Sequence, residues 1–501
     1  MDYHLTYIPE PLLQFGCNQS LEDPHDGLSL FGPLDHAQTY GIRIGVVGTQ
    51  NGIALFRGWL VSIRSSISIS SPHLARPPFP GFEAIFQTRL EGKPALELVI
   101  PDEKLTTIYL DDIYQRVYKT VDVYSSLILG AVSGEDTEVD IWFVIVPNEL
   151  YRYCRPKSVV VLDNRVKVDS KMKLSTARSF RSTPSLFEQD NIAAKPYHYQ
   201  PDFRNQLKAR LLSNLRPIQI VKESTLQPYD PDTRTTWRKP VDFSSEIAWY
   251  LSTAMFYKAG GRPWKLSEIR DGVCYLGIVF KQEERSGKTG SACCAAQMFL
   301  DSGDGFVFKG AVGPWHNPNT GQFHLHRDAA RELVSMAKTA YQDKMGKPPK
   351  EIFLHGRVNF DDEEWRGFSE AAGDSTVLVG VRIQPSSNLK LFTDSTLPIL
   401  RGSIFIQNTT TAYLWTNGLI PKIGTYPGRE TPNPLFINIC RGEAGIETVA
   451  RDIMALTKLN YNACRISDSL PITLKFADAV GEILTAGPIT AKAPLPFKFY
   501  M

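Results

Sequence analysis

Apolar and polar positions alternate along this chain in two distinct ways. From Asp202 to Leu212 the apolar residues Phe203, Leu207 and Leu211 recur at helical spacing, and Asp202 stands where a side-chain cap would start the helix. Pro217 to Val221 is a short apolar run with one amide, Gln219, and reads as a buried strand. Ser245 to Tyr257 is again helical, with Lys258 at its end and Gly260-Gly261 as the stop. Upstream, Val139 to Val146 is a continuous apolar run ending at Pro147, the pattern of a buried parallel strand, and the helical stretch Ile113 to Leu129 precedes it.

Strand and helix in alternation predict an α/β protein with a Rossmann-like sheet, whose ligands are expected at the carboxyl ends of the strands. The first ~125 residues read as short strands and turn-rich loops, Gly41 to Gly48 among them. Gly45, Gly48, Asn51 and Gly52 lack the spacing of a nucleotide loop and read as a plain turn. Asp169 to Gln200 is polar, with little periodicity, and reads as a long surface excursion.

These elements would bring four polar side chains together. Arg204 and Lys208 are four residues apart and share one helical face, an arrangement that costs a helix roughly 0.2 to 0.5 kcal/mol unless an anion lies between them. A phosphate suits that place, with Gln219 donating its amide and Lys258 adding a third positive charge.

The order Arg-x3-Lys, then Gln, then Lys before Gly-Gly resembles the guide 5'-phosphate pocket in the MID domain of Argonaute proteins. The residues beyond the pocket resemble their RNase H-like PIWI domain: Cys274 to Phe280 as the opening strand, Glu351 to Arg357 in the place of a strand ending in Arg-Asp-Gly, and Leu456 to Tyr461 with Leu470 to Asp478 as the closing signature. The resemblance covers roughly residues 200 to 501. It implies a MID-containing unit over residues 1–262 and a PIWI domain over 263–501.

Departures from that pattern bear on activity. A slicing PIWI domain holds two metal ions with several carboxylates. Here the first carboxylate position is Val279, the second falls on Gly356, and only Asp478 remains, too few oxygens for a pair of hard dications. No catalytic residue and no target cleavage are expected. Asp361 to Glu364 read as a solvated helix start. His324 and His326 fall on one face of a strand, two ligands without a third, so a surface or hydrogen-bonded role is expected. Trp237, Trp249, Trp315, Trp415 and Tyr461 read as packing residues.

No room upstream is evident for both an N-terminal and a PAZ domain, so the resemblance is to short prokaryotic Argonautes. It implies a sensor chain that binds guide RNA, pairs it with complementary single-stranded target DNA, and activates a separate APAZ-containing effector. That effector would be an NAD-consuming TIR or sirtuin-like domain, or a nuclease. It also implies Mg2+ at the guide phosphate, held with help from the carboxylate of Met501. Two other classes stay open: a guided nuclease with an unrecognised metal site, and a phosphate-metabolite enzyme on a Rossmann-like fold.

Composition narrows this further. With 43% apolar residues in 501, the chain can bury more than one core. A net charge of +2 excludes a bulk polycation, so nucleic-acid affinity must come from a local patch, for which Arg204, Lys208, Arg210, Arg216 and Lys222 are candidates. Seven scattered cysteines without a Cys-x-x-Cys pair argue against a zinc or disulfide framework. A start without a basic-then-apolar leader leads to the expectation of a cytoplasmic protein.

Overall fold

The structure is a computed structural model that describes residues 4–35, 40–69, 75–134, 138–168, 170–212, 216–227, 242–282, 292–300, 305–313, 315–317, 321–426, 428, 430–488 and 494–501. Trp237 lies outside them, and at Val279 only the backbone is described.

Two sheets organise the molecule. The smaller is wholly parallel, in the spatial order Leu96–Val99, Ile44–Gly48, Ile141–Val146, Ile218–Lys222. The order reverses beside the first strand in sequence, as in doubly wound sheets. Every residue of Ile141–Val146 is buried, because helices cover both faces and each apolar side chain contributes about 1.5 to 3 kcal/mol by leaving water. Gly45 lets the ring of Trp142 on the next strand close over it, since a Cβ there would sit 2.6 Å from that ring.

The helix Ile113–Ser133 starts at Asp112, whose carboxylate accepts from the N–H groups of Tyr114 and Gln115. It packs against the helix Phe203–Leu211, with Tyr124 edge-on to Phe203 at 5.2 Å.

The larger sheet is mixed and has ten strands among the described residues. Glu351–Gly356 lies at its centre, parallel to Val273–Gln282 on one side and to Val377–Pro385 on the other. Ala292–Leu300 and Gly305–Gly313 continue it antiparallel beyond Val273–Gln282. The helix Arg327–Met345 covers it through Ala330, Leu333, Val334, Ala337 and Tyr341, one buried stripe at helical spacing, and stops at Gly346 with φ +71°. Gly277 marks a close backbone approach: a Cβ there would lie 2.0 Å from the carbonyl oxygen of Thr473. Among the described residues no helix is long and apolar enough to cross a membrane.

Several expectations need correction. The first ~125 residues include the helices Pro24–Phe31 and Gln50–Ser62. The latter begins where Thr49 Oγ1 accepts from Gly52 N–H, so the glycine-rich stretch at 45–52 is strand running into helix rather than a turn. The excursion up to Gln200 holds the helices Leu174–Ser179 and Glu188–Ala194, gathered around Ala177, Ala194 and Tyr197. His4–Tyr7 pairs with Ser403–Asn408, so the start of the chain is spent on the larger sheet, on the far side of the expected division at residue 262. Glu10 fastens this crossing: its carboxylate accepts from Arg401 Nε at 2.8 Å and from Lys458 Nζ at 2.7 Å, both cations being buried.

Candidate nucleic-acid site

The pocket residues lie on separate elements that tertiary packing brings to one point. Asp202 caps the helix Phe203–Leu211 by accepting from Asn205 N–H at 2.9 Å, which sets the rotation that turns Lys208 inward. Lys258 is the last residue of the helix Asp242–Lys258, and Gly260, with φ +106°, turns the chain away behind it. Gln219 is the second residue of the strand Ile218–Lys222.

Lys258 Nζ donates to Gln219 Oε1 at 2.5 Å, to the carbonyl oxygen of Ile218 at 3.1 Å and to the main-chain oxygen of Met501 at 3.1 Å. Lys208 Nζ donates to the same Met501 oxygen and to the carbonyl oxygen of Tyr500 at 3.3 Å. Lys208, Lys258 and Met501 are all buried. Arg204 is half-buried at the rim, its Nη1 3.3 Å from Asn205 Oδ1.

Burial pushes the basicity of Lys208 well down, and the neighbouring charges of Lys258 and Arg204 push it further. Burial and Arg204 bring Lys258 down to about 7. Arg204 is also lowered by burial, against the opposing carboxylates of Asp202 and Glu482. Two buried ammonium groups that face one oxygen, with the Arg204 charge lowering the basicity of both, form a place where an anion with two charges would be stabilised.

The expectation that this pocket stands at the carboxyl ends of the strands does not hold. Gln219 is the second residue of its strand and so stands toward the amino end of the parallel sheet, and Lys208 lies in the last turn of the helix that leads into that strand. Gln219 also has its oxygen turned to Lys258, leaving its amide nitrogen as the group that can donate outward. Of the expected basic patch, Arg210 is engaged elsewhere: it pairs with Asp122 at 3.0 Å and stacks over Tyr118 at 4.2 Å. Lys222 stacks over Tyr151 at 4.6 Å.

Sequence reasoning missed Asn205 and Glu482. Asn205 Nδ2 donates to Glu482 Oε2 at 3.3 Å, and Lys281 Nζ lies 3.2 Å from the other oxygen, so the pocket helix is tied to the larger sheet. Asn205 is adjacent to Arg204, but no motif points to Glu482.

Two of the three carboxylate positions, Gly356 and Asp478, come together in the larger half. Gly356, at the end of its strand, and Asp478, in the first turn of the helix Ala477–Thr485, line one cleft of about 160 Å³ with Ile278 and Phe280, the neighbours of Val279. Asp478 is exposed and pairs with Arg357 at 3.1 Å. His355 is buried against Thr473 Oγ1 at 2.9 Å, and burial pushes it down to about 3, so it stays neutral.

Glu364, expected in solvent, is buried on the wall of this cleft. Its backbone N–H is capped by Asp361, and its own carboxylate accepts from Asp361 N–H at 2.9 Å and Leu325 N–H at 3.1 Å. The strand expected to carry both histidines ends at Phe323. His324 turns to Glu364, whereas His326 lies edge-on to Trp315 at 5.2 Å. Trp249 and Trp415 are buried core residues, and Tyr461 packs between Tyr257 and Trp264.

No family model matches the chain. Over 286 residues, 56% of the chain, it is 22% identical to Protein argonaute of Aquifex aeolicus (strain VF5) and covers 36% of that protein. Among solved structures, that of Clostridium butyricum Argonaute bound to a guide DNA and a 19-mer target DNA superposes with a TM-score of 0.61 at 14% identity, over 100% of this chain and 55% of the other. Drosophila Piwi superposes at 0.58 and 14% identity, over 99% of this chain and 56% of the other. The chain therefore spans about half the length of the structures it matches. It is Argonaute-like: its mixed α/β fold with a large mixed sheet matches that of the MID and PIWI domains of Argonaute and Piwi proteins.

Proposed function

We propose that this chain binds the 5'-phosphate of a guide strand, an RNA, between Lys208, Lys258, Gln219 and Arg204, and presents its bases for pairing with complementary single-stranded DNA. The observation that carries this reading is that Lys208 and Lys258, both buried and on different helices, meet at one oxygen. Buried ammonium groups of like charge are costly unless an anion compensates them. Residues 1–262 would supply this pocket and residues 263–501 the groove along which the duplex lies.

The main-chain oxygen of Met501 is also the ligand that an Mg2+ would take. Two ammonium groups hold it, so the residues present fit a phosphate and do not fit a dication unless that oxygen changes partners. With Val279, Gly356 and Asp478 at the carboxylate positions, the chain holds and reads a duplex without cutting it. Pairing would favour one arrangement of the complex over another, and an APAZ-containing effector in a prokaryotic immune system would answer that change.

Binding of RNA with a 5'-phosphate or a 5'-hydroxyl tests the reading, alongside a Lys208→Ala and Lys258→Ala double variant. The expected result is at least a tenfold preference, about 1.4 kcal/mol, for the phosphate, lost in the variant. Equal binding of both RNAs by the wild type would overturn it.

A further inference from the structure

Glu364, on the wall of the cleft near Gly356 and Asp478, forms with His324 and Asp361 a donor set that guide binding leaves unused. His324 lies between the strand Gln322–Phe323 and the helix Arg327–Met345, while Asp361 caps the helix Asp362–Ala372 and Glu364 lies in its first turn. His324 Nδ1 is 3.0 Å from Glu364 Oε1 and 3.7 Å from Asp361 Oδ2, and one ligand atom from each of the three lies within 4.8 Å of the others. Ligand atoms about 2.0 to 2.2 Å from a tetrahedral zinc ion stand roughly 3.3 to 3.5 Å apart. The two distances bracket that value.

We propose that His324, Asp361 and Glu364 bind one transition-metal dication of the Zn2+ or Mn2+ class. The surroundings are built for it. His324 Nε2 lies 3.2 Å from Gln322 Oε1, an acceptor that fixes the ring with its Nδ1 lone pair toward the carboxylates. Glu364 is 2% exposed and is held by two backbone N–H groups, so it is oriented before any ion arrives. An ion takes the place of the proton that His324 otherwise shares with Glu364.

One imidazole and two carboxylates suit zinc or manganese better than magnesium, which prefers oxygen alone. Three protein ligands leave a position open. Glu364 and Gln322 line the same cleft as Gly356, Arg357 and Asp478, so that position is available to water or to a phosphate oxygen of a bound strand. A single ion does not reproduce a two-metal clamp, and the site holds a ligand rather than cleaving one. This inference does not rest on the guide-binding reading.

The full chain, stripped with a chelator, is titrated with Zn2+ and separately with Mn2+ by calorimetry, and bound metal is counted by elemental analysis. His324→Gln and Glu364→Gln are measured in parallel; the second keeps the oxygen that closes the helix cap, and circular dichroism verifies the fold of both. The expected result is one equivalent of metal, resistant to excess Mg2+, bound roughly tenfold or more weakly by each variant. Absence of binding by the wild type, or equal binding by His324→Gln, would overturn the proposal and leave a histidine–carboxylate pair that closes a helix. Should Glu364→Gln not fold, His324→Gln alone decides.

Discussion

Lys208 and Lys258 donate to the same main-chain oxygen of Met501 although they lie on different helices, 50 residues apart. Such a pair is a liability to the free protein, and its removal separates stability from binding. Lys208→Met is expected to leave the melting temperature unchanged or to raise stability by about 1 kcal/mol, because an apolar chain replaces a buried charge. The same variant loses its preference for a 5'-phosphate. A variant that melts several degrees lower and keeps that preference would contradict both expectations.

Lys258 gives the pocket a pH dependence. Its folded-state pKa is about 7, below the ordinary lysine value of 10.5, so between those values the unfolded chain holds more protons and stability rises with pH. Binding a phosphate restores the charged form. Guide binding at pH 8 should therefore take up protons, visible as a dependence of calorimetric enthalpy on the buffer's ionisation heat, and Lys258→Met should reduce that dependence, Lys208 supplying what remains.

Glu10 neutralises two buried cations, Arg401 and Lys458, which hold its carboxyl below the usual range against the opposing effect of burial. Glu10→Ala leaves both charges unpaired and should cost roughly 3 to 5 kcal/mol. Because the folded pKa is depressed, this contribution is present above the ordinary carboxylate value and is lost as acid protonates Glu10. Denaturant melts at neutral and acidic pH measure it: the wild type and variant should converge on acidification.

Gly277→Ala tests the close approach to Thr473. The added carbon would overlap that carbonyl oxygen, and the forced shift should cost roughly 1 to 3 kcal/mol in denaturant unfolding. A neutral result would mean that the segment after Pro471 yields easily.

Asp478 is exposed and its partner Arg357 is too, so the pair carries little stability. Incubated with guide, matched target and Mg2+ or Mn2+, the protein should not cut, and Asp478→Ala should leave target binding unchanged. A specific cleavage product removed by Asp478→Ala would show a metal-dependent activity after all.

Legibility in the sequence was local. The cap at Asp202 and the stripe Phe203, Leu207 and Leu211 lie within one stretch, and the helix forms there with Lys208 turned inward. The strand Ile141–Val146 announces itself by its unbroken apolar run. The meeting of Lys208 with Met501, 293 residues away, has no local signal, and only the resemblance suggests that the last residue belongs near the phosphate. The end of the sheet on which the pocket stands has no local signal either. Acidity at 361–364 predicts a helix start correctly, but the burial of Glu364 depends on Leu325 and His324, which a reading of that run alone does not include.

The pairing of His4–Tyr7 with Ser403–Asn408 sets an order of assembly. During synthesis the opening strand leaves the ribosome about 400 residues before its partner exists. Until then its unpaired edge is open to any other strand, and joining so distant a partner is slow. The seam between His4–Tyr7 and Ser403–Asn408 should therefore close late, and a nascent chain stalled short of residue 403 should be digested at His4–Tyr7 while the parallel sheet beyond it already resists the protease.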